Sequence, residues 1–256
     1  MKFTFATDGR VEKQHQAPTQ GSHPGEVHVW THITGPGDAY VTLASQMLSE
    51  EESSKALKYH FERDRKVYLS GHVFIRKILA HYTGLAPSDI QLTPVVNAKP
   101  RMTNAPFPIH FNISHCGTRI LVAVGFDTDV GIDVEEVLED FDMEGFAENN
   151  YHANEIGKLS RLSDVKQIEY FYTVWTRKES WLKLTGEGSN DRLRELDFSG
   201  DNESPDGLNV NDDIHMFTWR ESKEYLATLA SSLPSSSIRY CTTELINRKN
   251  QNNKNQ

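Results

Sequence analysis

The chain of 256 residues lacks the features that define several protein classes. Its two cysteines, Cys116 and Cys241, are too few for a disulfide framework or a cysteine-rich zinc site, and they suit a reducing cytoplasm. No apolar run approaches the roughly 18 residues that a membrane-spanning helix needs. The start of the chain shows no apolar segment of a secretory signal. An excess of positive charge is also lacking, because 36 acidic residues outnumber 27 Lys and Arg and give a net charge of −9, which argues against general nucleic-acid binding. We therefore expect a cytoplasmic protein with no membrane and no nucleic-acid partner.

The remaining composition supports a folded protein, because 37% of the residues are hydrophobic and 10% are aromatic. Charge is clustered along the chain. Residues 127–157 contain eleven acidic residues and no Lys or Arg, whereas residues 55–77 contain seven Lys or Arg against two acidic residues. An acidic half that faces a basic half would suit a metal–phosphate site between them. Two solvated faces would show the same pattern.

Hydrophobic periodicity predicts the order strand, helix, strands, and then the same order again, with the halves meeting near residues 127–130. The predicted strands are 27–33, 90–96, 109–114, 119–126, 130–136, 214–219 and 224–230. The predicted helices run from 49 to about 60, over 62–82, in part of 141–162 and over 163–186, and 199–213 is predicted as a loop. The corresponding division is a flexible tail 1–25, an N-terminal subdomain 26–128, a C-terminal subdomain 129–230, and a C-terminal strand and tail 231–256 that is disordered at its end.

The motif GIDVE at 131–135 carries two carboxylates on one face of a predicted strand. Side chains alternate along a strand, so Asp133 and Glu135 share a face, roughly 7 Å apart, and could bind one divalent ion from two sides. Oxygen ligands of this kind suit Mg²⁺, whose shell is usually completed by water and substrate phosphates. The simpler interpretation is a half-exposed strand with an acidic outer face.

A second carboxylate motif lies in the predicted helix 163–186. Glu179 falls on the apolar stripe of that helix, where a carboxylate is costly unless it is paired or binds a metal. Lys183 follows one turn later, and Lys178 flanks the stripe. A simple i,i+4 ion pair on a solvated face is the alternative.

Two further motifs suit the binding of phosphate. In HFNISHCG an apolar strand ends in a polar cluster of Asn112, Ser114 and His115, which could hold an anion. A histidine satisfied at a turn is the alternative. In NAKP, Lys99 precedes Pro100 and is therefore held extended, so that it could reach a phosphate; alone, it would be a surface lysine.

In their order and spacing, AKP, FNISH, GIDVE and WTRKESWLKLTGEG resemble the motifs of the 4′-phosphopantetheinyl transferases, specifically the larger single-chain, surfactin-synthetase-activating class. The pair of motifs at 131–135 and 175–183 is the family's hallmark, and the resemblance runs from about residue 50 to residue 198. It implies an α+β pseudo-dimer of two similar subdomains, each a small, mostly antiparallel sheet packed on a long helix, with the active site in the cleft between them. Such a monomeric enzyme moves phosphopantetheine from coenzyme A to a serine of an apo acyl or peptidyl carrier protein, with Mg²⁺, and releases adenosine 3′,5′-bisphosphate.

The resemblance also implies roles for particular residues. Metal binding falls to Asp133, Glu135 and Glu179, and catalysis falls to Asp133, Glu179 as base and Lys183. The residues expected to bind coenzyme A are Lys55, Lys99, Pro100, Asn112, Ser114, His115, Asp133, Lys178 and Lys183.

The chain also departs from the family pattern at a few positions. Ala98 replaces the usual glycine before Lys99, Cys116 stands where serine or glutamine is common, and Asn150 replaces an aromatic residue upstream of Glu155. Two other functions would fit the same motifs. These are a Mg²⁺-dependent phosphodiesterase that acts on CoA-like substrates, and a non-catalytic CoA-binding protein of the same fold.

Overall fold

Two four-stranded sheets, each covered by a 22-residue helix, form the framework of the chain in a computed structural model. The structure describes residues 19–93, 99–187, 191–200, 208–210, 214–233 and 238–242. Its strands are β1 (Val27–Ile33), β2 (Ile109–Cys116), β3 (Arg119–Phe126), β4 (Val130–Glu136), β5 (Leu208–Val210), β6 (Ile214–Arg220), β7 (Tyr225–Ser231) and β8 (Ile238–Thr242). Its α-helices are α1 (Ala39–Met47), α2 (Glu50–Ala56), α3 (Glu62–Thr83), α4 (Met143–Asn150), α5 (Ala153–Leu159) and α6 (Asp164–Thr185).

The two halves of the chain share one topology. In the first half β1, α3, β2 and β3 give the sheet order β2-β3-β1, and in the second half β4, α6, β6 and β7 give β6-β7-β4. All of these pairings are antiparallel. Strand β8 then joins the first sheet parallel to β1, and β5 extends the second sheet beside β6. The predicted pseudo-dimer of two α+β subdomains is therefore confirmed.

The two sheets pack face to face, with α3 and α6 on the outside, and the alternation of side chains produces this layering. On β1, Val29 enters the core between the sheets, whereas its neighbour Trp30 packs under α3. On β4, Ile132 and Val134 enter the core between the sheets. The other face of β4 therefore points toward α6.

Strand β4 and helix α6 approach each other closely at Gly131. A Cβ atom built on Gly131 would lie 2.0 Å from the carbonyl oxygen of Ser180 and 2.5 Å from the backbone nitrogen of Leu184. Only a glycine lets the strand lie this near the helix. The first residue of the GIDVE motif thus sets the distance between the carboxylates on β4 and the side chains of α6.

Most of the predicted elements are present, and their ends follow the expected signals. Ser49 and Glu52 form a reciprocal capping box at the start of α2. Helices α3 and α6 both end at a glycine in the left-handed region, with φ of +76° at Gly84 and +74° at Gly186. No helix in the described part of the chain is long and apolar enough to cross a membrane.

Two elements were missed by the sequence predictions, and one predicted strand is seen only in part. Helix α1 was not predicted, because only Tyr40 and Ala44 of its nine residues are buried and the apolar stripe is correspondingly short. Strand β5 lies inside the segment predicted as a loop, where pairing with β6 overrides a turn-rich composition. Of the strand predicted over 90–96, only an isolated bridge between Leu92 and Met102 is seen, and residues 94–98 lie outside the described residues.

The predicted tail 1–25 is ordered from residue 19, where Gly21 donates a backbone hydrogen bond to the carbonyl of Tyr82. Residues 1–18 and 243–256 lie outside the described residues. Both cysteines, Cys116 and Cys241, are free thiols.

Candidate active site

A hydrogen-bonded cluster of Asp133, Ser114 and Lys183 joins β4, β2 and α6. The ammonium of Lys183 donates to Asp133 Oδ1 at 2.6 Å and to Ser114 Oγ at 2.9 Å. The hydroxyl of Ser114 in turn donates to Asp133 Oδ1 at 2.9 Å. The sequence predictions named all three residues, and the structure brings them together at the seam between the two subdomains.

Strand β2 reaches this seam because two of its side chains bind the backbone of β4. The Asn112 Oδ1 atom accepts a hydrogen bond from the backbone N–H of Ile132 at 3.0 Å, and Ser114 Oγ lies 3.4 Å from the backbone N–H of Val134. Asn112 and Ser114 are two residues apart and therefore share one face of β2. Asn112 and Ser114, which the sequence analysis placed in one polar cluster, thus link the two sheets beside the GIDVE motif.

The two other predicted metal ligands flank Asp133 and have raised pKa values. Burial, followed by the negative charge of Asp133, raises the pKa of Glu135 to about 7. The same two causes raise the pKa of Glu179, which Lys183 partly opposes. Glu135 also accepts a hydrogen bond from the indole of Trp175 at 3.2 Å. Three carboxylates therefore share a partly desolvated site. A bound cation would relieve the repulsion between their negative charges.

The donor set at this seam fits a hard divalent cation. Asp133 is 2% exposed and its Oδ2 atom is buried without a hydrogen-bond partner, which is costly unless something binds it. All three side chains offer oxygen atoms, which Mg²⁺ prefers. The oxygen atoms of the three carboxylates do not all lie within 4.8 Å of one another. Within the described residues, the group whose ligand atoms all lie within 4.8 Å of one another is elsewhere and consists of His23, Glu26 and His28.

A cavity of about 840 Å³ opens in the N-terminal subdomain between α2, α3 and β2. Its volume is typical of a pocket for a cofactor-sized molecule. The lining includes four of the residues predicted to bind coenzyme A, namely Lys55, Pro100, Asn112 and His115. Asn112, which lines the cavity, binds the backbone of β4 next to Asp133, and the charge of Lys183 acts on His115, so the cavity adjoins the seam that holds Asp133 and Lys183.

One wall of the cavity combines aromatic rings with positive charge. The rings of Tyr59 and Tyr68 lie 5.2 Å apart, and the ring of His72 lies 4.1 Å from that of Tyr68. Lys55 lies 5.8 Å from the centre of the Tyr68 ring. Partial burial, and then the charge of Lys183, lower the pKa of His115. Flat rings beside a lysine suit a ligand with an aromatic base and phosphates.

Lys178 does not lie at this site, and the prediction that it contacts pyrophosphate is wrong in this structure. Its ammonium is completely buried, where it pairs with Glu155 at 2.9 Å and donates to the carbonyls of Leu193 and Leu196. The cause is the helix period, because Lys178 precedes Glu179 by one residue and so points about 100° away from it. Glu155 is therefore the partner of Lys178 in a buried ion pair.

Lys99 is engaged by another carboxylate. Its ammonium donates to Asp129 Oδ1 at 2.9 Å, and His110 contacts the same oxygen atom at 3.1 Å. Lys99 is not among the residues that line the cavity, although its neighbour Pro100 is. Contact between Lys99 and a nucleotide stays a prediction. The residue Ala98 lies outside the described residues.

Sequence reasoning missed two features of the site. Trp175, which opens the second half of the hallmark motif, binds Glu135, and its place in that motif was the available signal. Arg76 and His72 both bind the carboxylate of Glu52 at the wall of the cavity. Because they lie one turn apart among the buried apolar residues Val73, Phe74 and Ile75 of α3, they could have been recognised as part of a buried charge network.

A buried carboxylate cluster, a lysine that binds it and a nucleotide-sized cavity beside them define a site suited to phosphoryl transfer. Comparisons with known proteins agree with this class. A family model described as 4′-phosphopantetheinyl transferase, N-terminal, matches residues 34–126, and a model described as 4′-phosphopantetheinyl transferase superfamily matches residues 129–231. The boundary between the two models falls at the predicted boundary between the halves.

Similar curated proteins carry the same description. The 4′-phosphopantetheinyl transferase HetI of Nostoc sp. is 29% identical over 68% of this chain and 74% of its own length. The 4′-phosphopantetheinyl transferase psf-1 of Bacillus pumilus is 35% identical over 55% of this chain and 59% of its own length. The L-aminoadipate-semialdehyde dehydrogenase-phosphopantetheinyl transferase of Mus musculus is 29% identical over 64% of this chain and 56% of its own length.

The chain belongs to the 4′-phosphopantetheinyl transferase superfamily. Coenzyme A and carrier proteins are the substrates of that family. The two alternatives considered from the sequence, a phosphodiesterase and a non-catalytic binding protein, find no support among these relatives. The match to most of the relatives spans between a half and two thirds of their length, so the details of the reaction are argued below as proposals.

Proposed function

We propose that this chain transfers the 4′-phosphopantetheine of coenzyme A to a serine of an apo acyl or peptidyl carrier protein and releases adenosine 3′,5′-bisphosphate. The observation that carries the proposal is the position of Asp133. Its buried, unpartnered Oδ2 atom lies beside Lys183 and Ser114, and this group adjoins the cavity that Lys55 and His115 line. A metal-binding carboxylate next to a nucleotide-sized cavity is what transfer of a phosphate ester requires.

We assign Mg²⁺ to the three carboxylates of the seam, with Asp133, Glu135 and Glu179 as the residues that would hold it. Their oxygen atoms suit this ion, and the raised pKa values of Glu135 and Glu179 indicate crowded negative charge. When bound, the ion would supply positive charge to the pyrophosphate of coenzyme A. We take Asp133 as the main metal ligand, since it is the most buried of the three carboxylates.

The protein groups can then be given steps in the reaction. Glu179 takes the proton of the carrier serine while the serine oxygen forms the new bond to the β-phosphorus of coenzyme A. The P–O bond to the nucleotide breaks, and Lys183 neutralises the charge that develops on the departing phosphate. Ser114 orients Lys183, to which it is hydrogen-bonded at 2.9 Å.

We place the nucleotide end of coenzyme A in the cavity of the N-terminal subdomain. The adenine would lie against the Tyr59 and Tyr68 rings, and Lys55 and His115 would contact phosphates. Pro100 and Asn112 complete the wall, and Lys99 would join them after it releases Asp129. The monomeric state, the cytoplasmic location and the carrier that is served stay predictions.

The direct test is intact-protein mass spectrometry of apo carrier proteins incubated with the full chain, coenzyme A and Mg²⁺. We expect the carrier to gain the mass of one phosphopantetheinyl group, and we expect EDTA to prevent the gain. The variants Asp133→Ala and Glu179→Ala should each abolish transfer and still melt cooperatively.

The variant Lys183→Ala is a graded test of the same assignment. It should lower kcat more than it raises the KM for coenzyme A, because its charge acts on the departing phosphate. Normal transfer by Asp133→Ala would contradict the metal site. Hydrolysis of coenzyme A with no mass gain on any carrier would favour a phosphodiesterase.

A further inference from the structure

A second cluster of metal-ligating side chains lies at the start of β1, away from the catalytic seam. His23, Pro24, Gly25 and Glu26 form a turn in which the backbone N–H of Glu26 donates to the carbonyl of His23 at 3.0 Å. Proline at the second position and a glycine with φ of +75° at the third are typical of a type II turn. The turn brings the side chains of His23 and Glu26 together. His28 lies two residues further along the strand and shares a face with Glu26.

The atoms that face one another are ligand atoms. Glu26 Oε2 lies 3.5 Å from His23 Nδ1 and 2.8 Å from His28 Nε2. The three atoms all lie within 4.8 Å of one another. Ligands of a tetrahedral zinc ion, each about 2.0–2.1 Å from the metal, are spaced by a little over 3 Å, so the separations are close to those of a binding site.

Each residue also has its other polar atom fixed by a hydrogen bond. His23 Nε2 donates to the carbonyl of Thr19 at 2.9 Å, so that its Nδ1 lone pair points toward the carboxylate. His28 Nδ1 contacts the hydroxyl of Tyr82 at 2.6 Å, and Glu26 Oε1 accepts from the guanidinium of Arg239. Outer hydrogen bonds of this kind orient the histidine and carboxylate ligands of metal sites.

Aromatic side chains surround the buried side of the cluster. The Tyr82 hydroxyl, which holds His28, also accepts a hydrogen bond from the indole of Trp30 at 3.0 Å. The ring of Phe126 lies 5.2 Å from both the His23 ring and the His28 ring. His28 is completely buried, whereas His23 and Glu26 are partly exposed, which leaves a route for an ion to enter.

We propose that His23 Nδ1, Glu26 Oε2 and His28 Nε2 form a binding site for a zinc-type divalent transition-metal ion. Two imidazoles and one carboxylate suit zinc and similar ions and do not suit Mg²⁺, which prefers oxygen ligands. When the ion binds Nε2, the proton of the neutral His28 ring lies on Nδ1, which donates it to the Tyr82 hydroxyl. Because Tyr82 belongs to α3 and Arg239 to β8, the site fastens the segment before β1 to both of these elements, so its role is structural.

The test is metal binding to the full chain after treatment with EDTA and removal of the chelator. Calorimetric titration with Zn²⁺ should show one tight site, and one equivalent of Co²⁺ should give the visible absorption of a four-coordinate site. The variant His23→Ala removes one ligand at a partly exposed position and should weaken zinc binding at least about tenfold. Zinc should raise the melting temperature of the wild type and leave that of His23→Ala nearly unchanged.

The control variant His60→Ala removes an exposed histidine between α2 and α3, and it should bind zinc like the wild type. The variant Asp133→Asn should also keep the zinc site, and a large excess of Mg²⁺ should not displace zinc. Absence of a stoichiometric site in the wild type would overturn the proposal. So would wild-type affinity in His23→Ala, or displacement by Mg²⁺, which would place zinc on the catalytic carboxylates.

Discussion

At the scale of single residues, the cluster at the seam between the subdomains depends on one hydroxyl with two partners. Ser114 donates to Asp133 and accepts from Lys183, so it keeps a carboxylate and an ammonium in a fixed relation. The resemblance to known transferases implied a contact between Ser114 and the phosphates of coenzyme A. The hydrogen bonds favour a different role, in which Ser114 positions Lys183.

The variant Ser114→Ala distinguishes these roles. It removes the hydroxyl but leaves Lys183 its bond to Asp133, so we expect kcat to fall on the order of tenfold through misplacement of the ammonium. The KM for coenzyme A should change less than about twofold. Steady-state kinetics with an apo carrier measures both values, and Thr118→Ala, an exposed position just beyond β2, is the matched control. A raised KM with unchanged kcat would instead indicate direct contact with phosphate.

Lys178 and Glu155 give a second test at this scale. Both side chains are completely buried, and burial pushes the pKa of each toward its neutral form. The variant Lys178→Met leaves the Glu155 carboxylate buried without its cation, which typically costs about 3–5 kcal/mol. Urea unfolding should show this loss, and the folded variant should retain its KM for coenzyme A.

The double variant Lys178→Met with Glu155→Gln completes that test. A neutral amide no longer needs the cation and can still accept from the backbone N–H of Phe198, as Glu155 does at 2.7 Å. We therefore expect the double variant to recover part of the lost stability. If the single variant were stable but had a raised KM, the original assignment of Lys178 to pyrophosphate would be restored.

At the scale of elements, the site depends on how near β4 lies to α6. The strand carries Asp133 and Glu135, and the helix carries Glu179 and Lys183, so their separation sets every distance between the two motifs. Gly131 permits the contact, since an added methyl group would meet the backbone of Ser180 and Leu184. The glycine of the motif is therefore a packing residue.

The variant Gly131→Ala should push the strand away from the helix. Overpacking of this kind usually costs about 1–3 kcal/mol, and a backbone contact that cannot rotate away puts this variant at the upper end. Urea unfolding should show the loss, and transfer activity should fall further than stability alone explains. The control is Gly157→Ala in α5, where nothing lies within 4 Å of the added atom and alanine should stabilise the helix. Equal activity in the two variants would contradict the role of this contact.

Local signals were sufficient to predict most of these elements. Val27–Ile33, Arg119–Phe126 and Val130–Glu136 were predicted with the observed ends. The first and third alternate apolar and polar side chains, and the second is a continuous apolar run. Strand β5 could not be predicted, since its three residues are selected by pairing with β6. The same limit applies to Lys178, because its partner Glu155 is supplied by a different helix.

At the scale of the whole molecule, the sequence indicated two halves of equal element order, but it did not indicate how they pack. The face-to-face core between the sheets and the side-chain links from β2 to β4 depend on contacts between distant segments. The cluster at His23 was likewise missed, because residues 1–25, which include His23, were interpreted as a loose tail. Its turn residues were visible, but the partners Tyr82 and Arg239 come from elsewhere in the chain.

The stability of the N-terminal half against acid follows from a carboxylate at the cavity wall. Glu52 binds His72 and Arg76, and although burial opposes them, these partners lower its pKa from 4.5 to about 2. Its charge therefore contributes stability above pH 4.5 that is lost as the pH falls toward 2. The shift corresponds to about 3 kcal/mol at pH 7 and about 1 kcal/mol at pH 3.

The variant Glu52→Gln should lose that contribution. By urea unfolding, the wild type should exceed the variant by about 3 kcal/mol at pH 7, and the difference should shrink to about 1 kcal/mol at pH 3. The variant Glu51→Gln, at an exposed neighbouring position on α2, should follow the wild type throughout. The contribution of the Glu52 charge must vanish once the carboxylate is protonated. If the difference in unfolding free energy between the wild type and Glu52→Gln did not change with pH, Glu52 would therefore act through its shape and hydrogen bonds and not through its charge.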